Sequence, residues 1–437
     1  MEGQLGKHLL YQGTKFLSDK PNVTAPNGGY ELVTIRLPVI ATFAALIAGL
    51  GLGVVFSSSD LPERLLQSLS LLGTLWLRAL QMTIIPLVAA LLVLGLAQMV
   101  QAAKAGAAAR RFLGLVFGVL IAGGLFTAFI MPLLLDIFPI PESASGFLAE
   151  VPDQELAVPD ILDFLASLVA PNIIAAASET AMLPLTIFFA LFAIAISRLP
   201  KAQNASLMGF FHALANAMLL IIGWVLWIAP VGVFALAFGV GMRSGGGAFA
   251  ALAHYILIVS AMGGFILVLA YVVAFALGGV GPLRFAKSVL PAQAVAVSTQ
   301  SSLASLPAML DSSSRLGLRA TTSEFVLPLA VAIFRATSPA MNMAVAMYVA
   351  ALAGVEITLP LAIAGILVAL IISIGSVSLP GSISFVVSIG PIAIAMGVPI
   401  EPLALLVAVE MLPDIMRTLA NVTMNVAVTS VVDRKAD

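Results

Sequence analysis

Five polar residues stand on one stripe near the C-terminus: Glu410, Asp414, Arg417, Asn421 and Asn425, within EMLPDIMRTLANVTMN (410–425). Steps of four, three, four and four residues confine them to roughly 80° of helix surface. The rest of that span is apolar. A charged group at the bilayer centre costs about 3 kcal/mol or more, so such groups normally face a polar interior and act there. Arg417 can hold a carboxylate through two parallel N–H···O bonds. Asp414, one turn earlier, can accept an ammonium. Together they suit a zwitterion with one further carboxylate better than a plain dicarboxylate. The plainer alternative is an i, i+3 ion pair between Asp414 and Arg417 that locks helices together. The added asparagines, and two Ser-rich segments described below, favour a binding site.

The elements that hold this stripe must lie in lipid. Of 437 residues, 61% are hydrophobic and 9% charged, far from the roughly 25% charged residues of soluble domains. A net charge of −1 gives no sign of nucleic acid as a partner. Cys is absent, which excludes disulfides, thiolate metal sites and cysteine nucleophiles. His8, His212 and His254 are widely spaced, so loop or packing roles suit them better than metal ligation. Residues 1–36 carry Lys7, Lys15, Lys20 and Arg36 without an early apolar core, and read as a cytoplasmic segment rather than a signal peptide.

Apolar length predicts spans at about 37–56, 66–100, 112–138, 179–197, 207–241, 251–280, 324–353 and 402–431. Two further apolar stretches, about 282–313 and 359–396, are interrupted by Ser, Gly and Pro. Positive charge sets orientation. The N-terminal basic residues, Lys104, Arg110, Arg111, Arg198, Lys201, Arg284, Lys287, Arg315, Arg319, Arg434 and Lys435 all fit one cytoplasmic side. The acidic loop 139–165, with no Lys or Arg, belongs outside. Both ends of 282–313 then sit inside, and both ends of 359–396 outside. Each enters the membrane, turns and leaves by the same face. The tips share a tripeptide, Ser305-Leu306-Pro307 and Ser378-Leu379-Pro380, and each hairpin precedes one span. Hairpin plus span thus occurs twice with opposite sidedness. Such broken helices leave backbone groups that are tolerable only around a cavity, where they can coordinate solute. Two Pro-kinked spans with a chance tripeptide match are the alternative. The expected fold class is an all-α integral membrane protein: eight transmembrane helices plus two oppositely oriented re-entrant helical hairpins, multi-pass in the inner (plasma) membrane, with both termini cytoplasmic.

The chain resembles the glutamate/aspartate transporter family, the dicarboxylate/amino acid:cation symporters. STQSSLASLP (298–307) is similar to that family's first hairpin tip, VLPL (326–329) to the start of its seventh span, and GSVSLPGS (375–382) to its second tip. DIMRTLANVT (414–423) is similar to the eighth-span binding motif, and ETAMLPLTIFFALFAIAIS (179–197) to the fourth span. The resemblance implies a homotrimer with an elevator mechanism. Residues 37–250 would be mainly scaffold and trimerisation spans 1–5, with span 3 joining the transport domain, and 251–437 mainly transport domain. By motif, Arg417 would bind the substrate's side-chain carboxylate and Asp414 its amino group. Thr418 and Asn421 would complete the eighth-span contacts. Ser301 and Ser302 would contribute from the first tip, and Pro380 and Gly381 from the second, the extracellular gate.

The seventh span departs from the family. Aligned from VLPL without gaps, the family's NMDGT falls on Phe334-Arg335-Ala336-Thr337-Ser338. Ser338 keeps a hydroxyl where the family's threonine meets substrate. The sodium-binding Asn and Asp become Phe334 and Ala336, and the eighth-span sodium Asp becomes Asn425. FLGLVFGVLIAGGLF (112–126), in span 3, has no Ser, Thr or Tyr for further sodium ligands. Ordinary three-sodium coupling is therefore not expected, although a site built from backbone carbonyls at the second tip leaves no mark in sequence. Arg335, where the family has methionine, has two readings. It is either a tethered cation replacing bound sodium or a relocation of the arginine that bacterial members carry in the first tip, where this chain has Gln300. If protons drive transport, Glu410 and Asp414 are the membrane carboxylates to carry them, because burial favours the neutral acid.

The function so implied is secondary active transport of aspartate or glutamate. A C4-dicarboxylate carrier or exchanger is one alternative, and a substrate-gated anion channel another of a different class. No cofactor or metal site is expected. An enzyme finds no support, since no nucleophile–base set shares a face. A neutral amino acid carrier is disfavoured on the premise that Arg417 would then lie unpaired.

Overall fold

The computed structural model describes residues 38–59, 61–104, 106–141, 165–244, 247–375 and 381–434. The basic N-terminal segment, the acidic loop 142–164, the second tip with Pro380, and Lys435 lie outside the described residues. Among the described residues there is helix and turn but no strand. Seven helical stretches are long and apolar enough to cross a membrane, from Val39–Phe56 to Met411–Arg434.

The first half of the chain opens with α1 (Val39–Phe56), α2 (Glu63–Gln81), α3 (Ile84–Ala103) and α4 (Ala107–Ile137). It continues through α5 (Ile173–Ser178), α6 (Met182–Ile196), α7 (Lys201–Trp227) and α8 (Ala229–Ser244). Two expected single spans are divided. The stretch 66–100 breaks at Met82–Thr83, because Pro86 lacks the N–H that would bond the Met82 carbonyl. The stretch 207–241 breaks at Ile228, two residues before Pro230, for the same reason. The α6 helix has only 15 residues and falls short of a full span by itself. Helices α1 and α8 pack closely through glycine: a Cβ on Gly49, Gly53 or Gly241 would collide with the backbone of the opposite helix.

The second half runs α9 (Gly247–Ala276), α10 (Pro282–Thr299), α11 (Leu306–Leu316), α12 (Ala320–Ile333) and α13 (Ser338–Leu352). Then come α14 (Leu359–Gly375), α15 (Gly381–Ala395), the single turn α16 (Leu403–Leu406) and α17 (Met411–Arg434). Helices α10 and α11 pack together, as do α14 and α15. Arg284, near the start of α10, donates to the Leu316 carbonyl at the end of α11 at 2.8 Å, so the outer ends of this pair meet. Arg319 Nε pairs with Asp433 Oδ1 at 2.9 Å, and Arg434 donates to Leu277 O at 3.4 Å. Basic residues assigned above to one membrane face thus gather at one end of α9, α10, α11, α12 and α17.

Among the described residues two apolar cores form. One runs through α1 to α8 and takes in Met341–Ala350 and much of 364–409. The other joins Phe112, Val116 and Leu120 of α4 to α9, α10, α12 and α17. The third expected span therefore packs with the C-terminal helices that carry the polar stripe.

Candidate substrate site

The seventh expected span is broken. Helix α12 ends at Ile333, Phe334 is extended (φ −116°, ψ 114°), and α13 restarts at Ser338 with Pro339 in its first turn. Proline fits there because its missing N–H has no helical partner to lose. The break is held from α17. Asn421 Oδ1 accepts from Thr337 N at 2.9 Å and from Thr337 Oγ1 at 3.1 Å.

Against this break lies a buried ionic cluster. Arg417, 7% exposed, donates from Nη2 to Glu410 Oε1 at 2.7 Å and from Nη1 to Asn342 Oδ1 at 2.6 Å. Its Nε is 3.4 Å from Asp414 Oδ1. Every nitrogen of the guanidinium has a protein partner. Glu410 (1% exposed) stands just before α17 and still reaches Arg417 two turns on. Its Oε2 accepts from Tyr255 at 3.5 Å. Arg335, half-buried in the break, adds a second positive charge that acts on Asp414 and Arg417. Two carboxylates and two guanidinium groups therefore balance.

This geometry overturns the premise used against neutral substrates, since each guanidinium nitrogen of Arg417 has a partner within the protein. It also gives the surroundings of two expected site residues. The Asn421 carbonyl oxygen is committed to the break. Asn425, on the same stripe, has both side-chain polar atoms buried with no hydrogen-bond partner. An unsatisfied buried amide costs about 1–3 kcal/mol per group. Asn425→Leu is therefore expected to raise the melting midpoint of the purified protein and leave uptake intact. A lower midpoint together with lost uptake would show that a solute uses the amide.

The other expected residues are placed as follows. Thr418 is buried on α17 beside Arg417. Ser338 and Asn342 share a hydrogen bond of 2.9 Å. At the first tip, Gln300 takes a left-handed conformation (φ 50°) that ends α10. Ser301 Oγ accepts from Ala304 N at 3.2 Å, and Ser305 Oγ donates to Ser301 O at 2.8 Å. Ser301 and Ser302 are half-buried, and neither bonds to the Arg417 cluster. Gly381 opens α15. Phe334 stacks edge-on against Phe112 at 6.2 Å, so an aromatic contact fills the position aligned with a sodium ligand.

Several residues were missed in sequence. Asn342 is the most important, followed by Tyr255 and Thr337. Thr127 Oγ1, one residue beyond the segment 112–126, donates to Ala340 O at 3.1 Å and ties α4 to α13. His254 sits between Tyr348 Oη and the Phe138 carbonyl, each at 3.1 Å, in the packing role expected of it.

Membrane-length helices around a buried polar interior define a multi-pass membrane protein. Residues 39–435 match the Sodium:dicarboxylate symporter family, and the chain belongs to that family, one of transporters. It is similar to the Neutral amino acid transporter B(0) of Bos taurus, 27% identical over 68% of this chain and 62% of the bovine protein. The chain therefore spans less than two thirds of that relative. It is 25% identical to the Proton/sodium-glutamate symport protein of Bacillus subtilis, over 72% of this chain and 74% of the relative. The Proton/glutamate-aspartate symporter of Escherichia coli is 28% identical over 46% of each chain.

Proposed function

We propose that the protein is a secondary active transporter of acidic amino acids, driven by protons rather than by sodium in the family's usual way. The observation that carries this reading is the buried Arg417–Glu410 pair beside Asp414 at a helix break. A substrate carboxylate takes the place of Glu410 on the Arg417 fork, and the substrate ammonium pairs with Asp414. Displaced into a buried site, Glu410 takes up a proton, because an unpaired buried carboxylate is strongly disfavoured. A substrate of one net negative charge thereby enters a balanced site together with one proton. The Escherichia coli relative, named for protons with glutamate and aspartate, supports this reading, and the Bacillus subtilis relative, named for both protons and sodium with glutamate, supports its substrate part alone.

The 282–313 and 359–396 segments act as re-entrant hairpins. They move with spans 7 and 8 and span 3 as the transport domain of a trimer, and the second tip around Pro380 and Gly381 serves as the gate. The shared core of α4 with α9, α10, α12 and α17 supports that grouping. The meeting of Arg284 with Leu316 supports entry and exit of the first hairpin at one face, the cytoplasmic one.

Neutral amino acids are the second reading. They are favoured by the partners that each guanidinium nitrogen of Arg417 has within the protein and by the bovine relative. Uptake of labelled aspartate and alanine into proteoliposomes, under separately imposed sodium and proton gradients, decides between them. Aspartate uptake that follows the proton gradient and ignores sodium is expected. Sodium-dependent uptake would refute the coupling, and alanine uptake without aspartate uptake would refute the substrate.

Arg335 supplies the second positive charge of the site. Arg335→Met is expected to weaken aspartate uptake about tenfold, the loss typical of one partly buried charge interaction. Unchanged sodium-independent uptake in that variant would remove Arg335 from the mechanism.

A further inference from the structure

The amide of Asn342 can face its neighbours in only one way. Arginine has donors and no acceptor, so the atom 2.6 Å from Arg417 Nη1 must be Oδ1. The NH2 group is thereby turned to Ser338, and Nδ2 donates to Ser338 Oγ at 2.9 Å. Both residues are buried, 3% and 4% exposed, so water does not compete freely for these bonds. A hydroxyl that accepts from Asn342 keeps its own proton for another acceptor. Among the described residues, no side-chain bond uses that proton. Asn342 therefore fixes the plane of Arg417 and the hydrogen-bonding sense of Ser338 together.

Resting on the acidic-substrate reading above, we propose that Asn342 is the positioning residue that sets acid-over-neutral selectivity by holding Ser338 as a hydrogen-bond donor toward the substrate carboxylate beside Arg417. A carboxylate accepts from both Arg417 and Ser338. A carboxamide of the same shape presents one oxygen and one NH2, and the NH2 meets a donor. Aspartate and asparagine share a shape and differ in charge as well as in this pairing, and a hydrogen-bonding site rejects an analogue that leaves its buried groups unpaired. Alignment pointed to Ser338 alone. The relay from Arg417 through Asn342 adds the residue that dictates which way its hydroxyl faces.

The test is the ratio of asparagine to aspartate concentrations that half-inhibit labelled aspartate uptake in proteoliposomes. Wild type, Ser338→Ala, Ser338→Thr, Asn342→Ala and the double alanine variant are compared, with melting midpoints alongside. The ratio is expected to fall about tenfold in Ser338→Ala, as for loss of one charge-assisted hydrogen bond, and to recover in Ser338→Thr. Asn342→Ala should lower it similarly, and the double variant should fall no further than either single one, the signature of one coupled unit. If Asn342→Ala does not fold, the Ser338 pair still decides whether the hydroxyl discriminates, because among the described residues no hydrogen bond joins Ser338 to Arg417. A wild type that prefers aspartate with a ratio unmoved in Ser338→Ala overturns this inference and leaves the transport reading standing. Additive losses in the double variant overturn the relay. A wild type that prefers asparagine overturns the acidic-substrate reading and the inference with it.

Discussion

Arg417→Met is expected to abolish aspartate uptake and to lower stability, whereas Arg417→Lys should separate the two effects. Arg417 is the hub of the site, bonded to Glu410 and Asn342 and close to Asp414. Removing one partner of a buried ion pair leaves an uncompensated charge and costs about 3–5 kcal/mol. Two carboxylates would be exposed to that penalty here, so the methionine variant should melt earlier or bind protons in place of the lost guanidinium. Lysine restores the positive charge without the planar fork, and its ammonium cannot hold a carboxylate through two parallel bonds. Arg417→Lys should therefore recover most of the melting midpoint yet still lose about a hundredfold in aspartate affinity, the worth of a strong charge-assisted pair. Melting curves and uptake on the same preparations check both parts. Full aspartate uptake by the lysine variant would show that Arg417 is a charge within the scaffold and not the carboxylate clamp.

The stripe on α17 was legible in sequence because charge is rare in an apolar chain, so Glu410, Asp414 and Arg417 stand out by type and by spacing. Spacing alone could not show whom they face. Arg417 is satisfied by Glu410 and Asp414 of its own stripe and by Asn342, 75 residues away. A lone asparagine in SPAMNMAVAMYVA has no periodic partner on its own helix, and nothing local marks it. The break before Ser338 did carry a signal, Thr337 followed by Ser338-Pro339, which reads as a helix start inside an apparent span. Pro86 and Pro230 carried comparable signals for the divided helices α2/α3 and α7/α8. Apolar length outweighed them, since window hydropathy registers how much of a stretch is greasy and not whether its backbone is continuous. Asn421 was legible as a site residue but not as the residue that holds Thr337, because that role follows from a break its own helix does not contain.

Glu410→Gln is expected to uncouple transport from protons while preserving exchange. In the structure Glu410 occupies one arm of the Arg417 fork and receives the Tyr255 hydroxyl. A glutamine keeps that shape and can still accept from Arg417, but it has no proton to gain or lose. On the proposed cycle, substrate arrival drives Glu410 off Arg417 and protonates it, and release on the other side returns the proton. With glutamine the competitor on Arg417 is already neutral, so binding no longer depends on proton uptake. Counterflow of labelled against unlabelled aspartate should then persist at near wild-type rates. Accumulation driven by an imposed proton gradient should drop about tenfold or more, since the displaced side chain has lost the charge that its protonation must offset. The sign of the pH effect follows: wild-type affinity for aspartate should weaken as pH rises, and the glutamine variant should lose that slope. Proton-driven accumulation that survives the substitution would move the coupling proton from Glu410 to Asp414, the other carboxylate beside Arg417. Loss of counterflow as well would assign Glu410 to holding Arg417 in place, a positioning role that the 2.7 Å bond between them already describes.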